Sequence, residues 1–457
     1  MRRRHLIGFW IVSIALALLP GRFLPAEEAT WKAGIATAKI TPEEPLWLAG
    51  YGSRDHPAEG TLHDLWIKAL ALEAADGRRA VVVTSDLLGF PKIMSDRICA
   101  ELDTRCGLNR SQVMLTSSHT HSGPVLKEAL YDIYPLDAPQ RELIEQYSLK
   151  LEKTVVDTVA EAFSRLTPAT LWAAEGTTDF AVNRRNNPQE QVAELREKGI
   201  PLKGPVDHGV SVLAVRGPEG DLRAVLFGYA CHATTLSLYQ WSGDYPGFAQ
   251  IALENSHPGA SAMFHAGCGA DQNPLPRRTV ELCRKYGEML AAAVEDVLAK
   301  PMRPVQPRLE TALETIDLGY EKTLSREDLE AAKQKDVYHQ RRAERLLGQL
   351  DEGRTLAASY PYPVQAWKLG DDQLWITLGG EVVVDYSLRF KSAYGPKTWV
   401  TGYANDVMAY IPSRRVWEEG GYESGAFYVY GLPTDRWTPQ IEEQIAASVQ
   451  RLVEKRD

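Results

Sequence analysis

Residues 80–85 read Ala-Val-Val-Val-Thr-Ser, a short β-branched apolar run that predicts a buried strand ending at Asp86. Similar runs at 210–216 and 224–230 predict two strands joined by the turn Gly217-Pro-Glu-Gly220. Residues 111–118 predict another strand, stopped by Gly123-Pro124, and 375–378 and 399–402 predict two more. Between these runs, apolar positions recur at helical spacing over 94–106, 140–166, 279–300 and 440–455. Residues 325–350 predict one further helix, so densely charged that most of its faces should be solvated. Strands alternating with helices imply an α/β fold, with a mixed β-sheet core flanked by helices and a site at the strand ends. No repeat, low-complexity tract or long Pro/Gly/Ser linker divides the chain.

The N-terminus departs from this pattern. Arg2, Arg3, Arg4 and His5 precede an apolar stretch over 6–19 that Pro20-Gly21 ends. This predicts a signal peptide over 1–26, cleaved after Ala26, and an exported protein, periplasmic or secreted. The stretch is shorter than the roughly 20 residues a membrane-spanning helix needs. The formal net charge is −9, and residues 1–26 carry four arginines and no acid, so the mature chain is more negative still. That balance excludes nucleic acid as a partner. Five cysteines (Cys99, Cys106, Cys231, Cys268, Cys283) leave at least one unpaired within the chain, and Cys99 and Cys106 are near enough in sequence to bridge. None forms a C-x-x-C pair, which argues against a structural zinc–thiolate site.

The chemistry-bearing residues fall just after the predicted strands. His119 and His121 follow the run at 111–118, and in extended backbone, side chains two apart share a face. His232 follows the strand at 224–230, and Glu381 follows Gly379-Gly380 after 375–378. A lone histidine at a strand end more often packs than ligates. Taken together, His119, His232 and Glu381 supply two imidazoles and a carboxylate, a set suited to a catalytic zinc with an open position. The polar run at 242–248, containing Asp244, suits a pocket wall.

Several short motifs carry a resemblance in their order along the chain. They are Ala33-Gly-Ile-Ala-Thr-Ala-Lys-Ile-Thr-Pro42, Leu48-Ala-Gly-Tyr51, Ser118-His-Thr-His-Ser-Gly-Pro124, Val182-Asn-Arg-Arg185, Cys231-His232-Ala-Thr and Ser242-Gly-Asp244. Gly380-Glu381, Gly402-Tyr-Ala-Asn405 with Tyr410, Tyr422-Glu423 and Tyr430-Gly431 continue the series. With these the chain resembles the catalytic N-terminal domain of the neutral/alkaline non-lysosomal ceramidases. The resemblance implies one Zn2+ per chain, held by His119, His232, Glu381 and Tyr410. It implies that His121 moves protons beside the metal, and that Arg184 and Tyr422 steady a developing oxyanion. The expected activity is hydrolysis of an N-acyl amide, ceramide being the natural substrate guess, by zinc-activated water.

Two departures qualify the resemblance. The family carries an active-site serine in a Gly-Asp-x-Ser-Pro-type motif, whereas Ala270-Asp271-Gln272-Asn273-Pro274 places Asn273 at that position. An amide can donate a hydrogen bond to substrate but cannot form an acyl-enzyme, and before proline it is equally well read as a turn residue. Family members also usually continue into an immunoglobulin-like C-terminal domain, so residues 27–457 are expected to form the hydrolase domain without it. The expected partner is a small-molecule or lipid N-acyl substrate, with room for peripheral membrane contact. An ester hydrolase on the same site and a non-catalytic metal-containing binding protein remain as alternatives, the second because of Asn273.

Overall fold

The computed structural model describes residues 30–454. The expected signal over 1–26, with Ala26, lies outside the described residues. Among those described, no helix is long and apolar enough to cross a membrane.

Trp31–Lys39 pairs antiparallel with Trp66–Glu73 on one side and Thr167–Thr177 on the other. Around it a nine-stranded sheet runs in the order Ser261–Ala266, Leu222–Tyr229, Gly209–Arg216, Thr167–Thr177, Trp31–Lys39, Trp66–Glu73, Arg79–Ser85, Val113–Leu115, with Arg303–Val305 also on Thr167–Thr177. The two end pairs are parallel and the pairs between them antiparallel, so the sheet is mixed, as expected. A second sheet runs Leu309–Gly319, Ser359–Leu369, Gln373–Leu378, Trp399–Thr401.

Alternation along the strands gives each sheet an apolar face, and the two faces meet. Trp31, Leu70, Met114 and Leu213 from the large sheet pack with Trp367, Trp375 and Trp399 from the small one. Each buried indole needs a partner for its N–H. Trp367 donates to the Ser111 carbonyl at 2.8 Å, tying the small sheet to the segment that leads into Val113–Leu115, and Trp375 donates to Thr401 Oγ1 at 2.8 Å within the small sheet. Lys92–Cys106 and Ala138–Ser164 cover one half of the large sheet's outer face, and Asp244–Ser256 and Val280–Leu298 the other. Val384–Tyr394 and Ile441–Glu454 cover the small sheet. The layers are helix, sheet, sheet, helix.

Three expectations change. The charged run at 325–350 is two helices, Arg326–Ala332 and Val337–Asp351, because Asp336 caps a second start by accepting from the Tyr338 and His339 amides. Their inner faces are not solvated: Leu329, Ala343, Leu346 and Leu347 form a buried cluster. Cys99 and Cys106 do not bridge. They lie seven residues apart on one helix, about 10 Å along its axis, beyond disulfide reach, and all five cysteines are free. The strand expected over 111–118 is regular only at Val113–Leu115. His119 then takes a left-handed backbone, φ 57°, so the shared-face argument for His119 and His121 fails.

Candidate metal centre

The two imidazoles nevertheless meet, because the chain turns at His119 instead of extending through it. His121 Nε2 lies 3.2 Å from His119 Nε2. Glu381 Oε2 approaches His119 Nε2 at 3.3 Å and His232 Nε2 at 3.0 Å. Glu381 sits on the short strand Glu381–Val382, which pairs in parallel with Tyr410–Ile411. All four side chains are buried. The ligand atoms of His119, His121 and His232 lie within 4.8 Å of one another.

The far sides of two rings fix their tautomers. His119 Nδ1 donates to the Leu88 carbonyl at 2.7 Å, and His232 Nδ1 to the Gly269 carbonyl at 2.8 Å. A carbonyl only accepts, so Nδ1 carries the proton, and in the neutral form of each ring Nε2 is the bare nitrogen that faces Glu381. Burial, then Arg184, pushes the His232 pKa down to about 4. Burial, then His119 and His232, takes His121 well below its usual value. Burial opposes ionisation of Glu381, but the cluster around it, the charged form of His119 above all, favours the carboxylate and holds it well below its usual range. With the rings neutral, lone pair faces lone pair across 3.0–3.3 Å, and His232 Nε2, Glu381 Oε2 and His121 Nδ1 are buried without a hydrogen-bond partner. This donor set fits a divalent cation such as zinc, which accepts nitrogen and carboxylate oxygen alike.

Strain surrounds the cluster. Besides His119, the non-glycine residues Asp244, Tyr403 and Asn405 have φ between 54° and 65°. Tyr403 lays its ring against His119, centroids 4.2 Å apart. Within the polar run expected to wall a pocket, Asp244 itself points inward. It is buried at the start of Asp244–Ser256 and accepts the Thr235 and Leu236 amides, bracing the loop after His232. Gly50, φ 99°, touches His121 so closely that a Cβ there would fall 2.4 Å from Nδ1.

Arg184, Tyr410, Tyr422 and Asn273 gather on one side. Arg184 donates to Glu423 Oε1 at 2.8 Å and faces Tyr410 Oη and Asn273 Oδ1, both at 3.4 Å. Asn273 is carried by Gln272–Pro274, paired with Ala181–Asn183, the strand that leads into Arg184. Tyr422 is half exposed, its ring 5.3 Å from that of Tyr410 and 5.6 Å from the Arg184 guanidinium. Arg184, Asn273 and Tyr422 line a cavity of about 480 Å³. The cluster thus gathers His119, His121, His232 and Glu381 in direct contact, with the other four beside it. Sequence reasoning gave no role to Tyr430, whose hydroxyl donates a short hydrogen bond to Glu381 Oε1, or to Glu423, which binds Arg184 and Arg185. Both lie in motifs quoted above, but only the fold reveals which atoms they hold.

A profile described as neutral/alkaline non-lysosomal ceramidase, N-terminal, matches residues 31–273, just over half of the chain. His119, His121, Arg184, His232 and Asn273 fall inside the match, whereas Glu381, Tyr410 and Tyr422 lie beyond it. The neutral ceramidase of Pseudomonas aeruginosa is 25% identical over 265 residues, which are 56% of this chain and 38% of that protein. The match therefore spans well under half the length of that relative. A crystal structure of neutral ceramidase from Pseudomonas aeruginosa superposes with a TM-score of 0.70 at 20% identity, covering 94% of this chain and 74% of the other. A ceramidase complexed with C2 gives 0.70 at 18% identity, covering 94% and 77%. At these identities the structural likeness speaks for the fold alone.

Proposed function

The chain belongs to the neutral/alkaline non-lysosomal ceramidase family, and on that premise we propose that it is an exported zinc-dependent hydrolase of N-acyl amides. The observation that carries the reading is the convergence of His119, His232 and Glu381 at 3.0–3.3 Å, buried beside an open cavity. These three would hold the ion, and Tyr410, whose hydroxyl Arg184 faces, would complete the set. When bound, zinc supplies a Lewis acid for the scissile carbonyl and acidifies water. The export assignment rests on the basic and apolar pattern of residues 1–26.

The protein's own groups divide the remaining work. His121 is neutral and buried, and its Nε2 faces the cluster 3.2 Å from His119 Nε2, so that nitrogen can take a proton from the attacking water and return it to the leaving amine. Arg184 stays charged, because Tyr410 and Glu423 outweigh its burial, and it offers donors to the oxyanion together with Tyr422. Asn273 turns its oxygen toward Arg184, which leaves its amide N–H groups for substrate. With no serine at this position, water attacks directly and no acyl-enzyme forms. An ester would pass through the same oxyanion. Asn273 is also the feature that favours a non-catalytic metal protein.

The test is release of fatty acid from N-acyl lipids and N-acyl amino acids by the zinc-loaded chain, beside matched esters. Hydrolysis of amides that is lost in His119→Ala supports the reading. Full zinc occupancy with no turnover of any substrate would assign the chain to the binding-protein alternative.

A further inference from the structure

Two arginines beside the cavity have no acidic partner. Within the cavity, Glu423 and Glu419 are matched by Arg184 and Arg185: Arg184 Nε binds Glu423 at 2.8 Å, and Arg185 binds Glu419 at 3.0 Å and Glu423 at its other oxygen. Arg277, which lines the same cavity, meets only neutral oxygens, Gln189 Oε1 at 2.8 Å and the Thr234 carbonyl at 3.5 Å. Arg278 meets Tyr51 Oη at 2.9 Å and the Leu236 carbonyl at 3.5 Å. Among the described residues, neither has a carboxylate within 4.0 Å.

The surroundings add positive charge and do not cancel it. Burial, then Arg278, lowers the Arg277 pKa to about 10, with Arg184 acting in the same direction. An opposing charge felt there is Asp244, whose carboxylate is already bound by the Thr235, Leu236 and Tyr245 amides. Arg278 is held at φ 96°, a backbone conformation that a residue with a Cβ rarely adopts. Its guanidinium lies 5.0 Å from the Tyr51 ring, and that ring meets His121 at a tilt of 52°, centroids 4.7 Å apart. Arg54 approaches the same tyrosine, also at 5.0 Å. Crowded guanidinium groups with unused N–H donors next to a reaction centre form a receptor for a bidentate oxyanion.

We propose that Arg277 and Arg278 bind an anionic group on the substrate, so that the hydrolysed compound is an N-acyl amine bearing a carboxylate or phosphate-class headgroup rather than a neutral amide. This rests on the hydrolase reading above for the word substrate, but the anion site itself does not.

Binding is tested with ketone isosteres, in which CH2 replaces the amide N–H and turnover is impossible. The charged isostere of N-lauroylglycine, the neutral one of N-lauroylglycinamide and that of N-lauroylaminomethylphosphonate are titrated calorimetrically into the mature zinc-loaded protein. The expected result is at least about tenfold tighter binding of a charged isostere than of the neutral one, shrinking as salt rises. Whether glycine or phosphonate binds better distinguishes carboxylate from phosphate. Arg277→Gln and Arg278→Gln should each erode that ratio, and Arg277→Lys should keep part of it. Equal affinity for charged and neutral isosteres, no binding of either, or equal weakening of both in the Gln variants would overturn the proposal. If the isosteres discriminate but the parent amides are not hydrolysed, the anion site stands and the hydrolase reading fails. If amides are hydrolysed without charge preference, the hydrolase reading stands and the anion site falls.

Discussion

Replacing Tyr430 with phenylalanine removes one oxygen, and that oxygen is the only protein donor recorded for Glu381 Oε1 among the described residues. The hydrogen bond pins one carboxylate oxygen so that the other faces His119 and His232. Burial, reinforced by Glu381, keeps the Tyr430 phenol protonated well above its usual range, so it acts as a donor throughout the physiological pH span. A hydrogen bond to a charged acceptor contributes about 1.5–3 kcal/mol, which corresponds to roughly 10- to 150-fold in zinc affinity if the orientation of Glu381 is lost. Losses of about 10- to 100-fold are usual when a partner behind a metal ligand is removed. The ring is kept, so its packing against the apolar clusters on either side is preserved. Competition with a chromophoric chelator reads the affinity, and circular dichroism checks that the variant folds. A folded Tyr430→Phe protein with native zinc affinity would refute the view that Glu381 holds the ion through Oε2.

Other perturbations test separate parts of the site. His121→Ala should retain zinc by elemental analysis but lose turnover by about 10²-fold or more, whereas loss of the metal would make His121 a ligand. Gly50→Ala would place a methyl 2.4 Å from His121 Nδ1 at a backbone φ of 99°, so activity should fall sharply while zinc content persists; native turnover would mean that His121 has freedom to move. Burial raises the Asp406 pKa to about 7, with Tyr360 opposing only in part. The folded state therefore keeps a proton that the unfolded chain gives up near pH 4, and this contribution to stability is full below pH 4 and lost as pH rises through 7. Its size is about 4 kcal/mol, and Asp406→Asn should flatten that part of the urea-midpoint profile; parallel profiles for the two proteins would contradict it.

The sheet-forming runs were legible because β-branched residues cluster between turn signals. The strands Arg79–Ser85, Gly209–Arg216 and Leu222–Tyr229 fall within two residues of the expected bounds. The second cap at Asp336 was missed because charge density masked a buried Leu346–Leu347 face. His119, His232 and Glu381 could be grouped from their places after predicted strands, whereas Tyr410, Arg184, Tyr422 and Asn273 joined them only through the family resemblance. Their geometry was not legible, since the convergence depends on the left-handed turn at His119 and on the pairing of Glu381–Val382 with Tyr410–Ile411, a contact between distant segments. Tyr430 illustrates the same limit. Its motif was visible, but nothing in the sequence aims its hydroxyl at Glu381.

Elemental analysis of the purified mature protein, set beside His119→Ala and His232→Ala, tests the metal assignment most directly. The expected result is one zinc per native chain and none in either variant, with all three folded. Unchanged zinc content in both variants would contradict the assignment of the His119, His232 and Glu381 cluster as the metal centre.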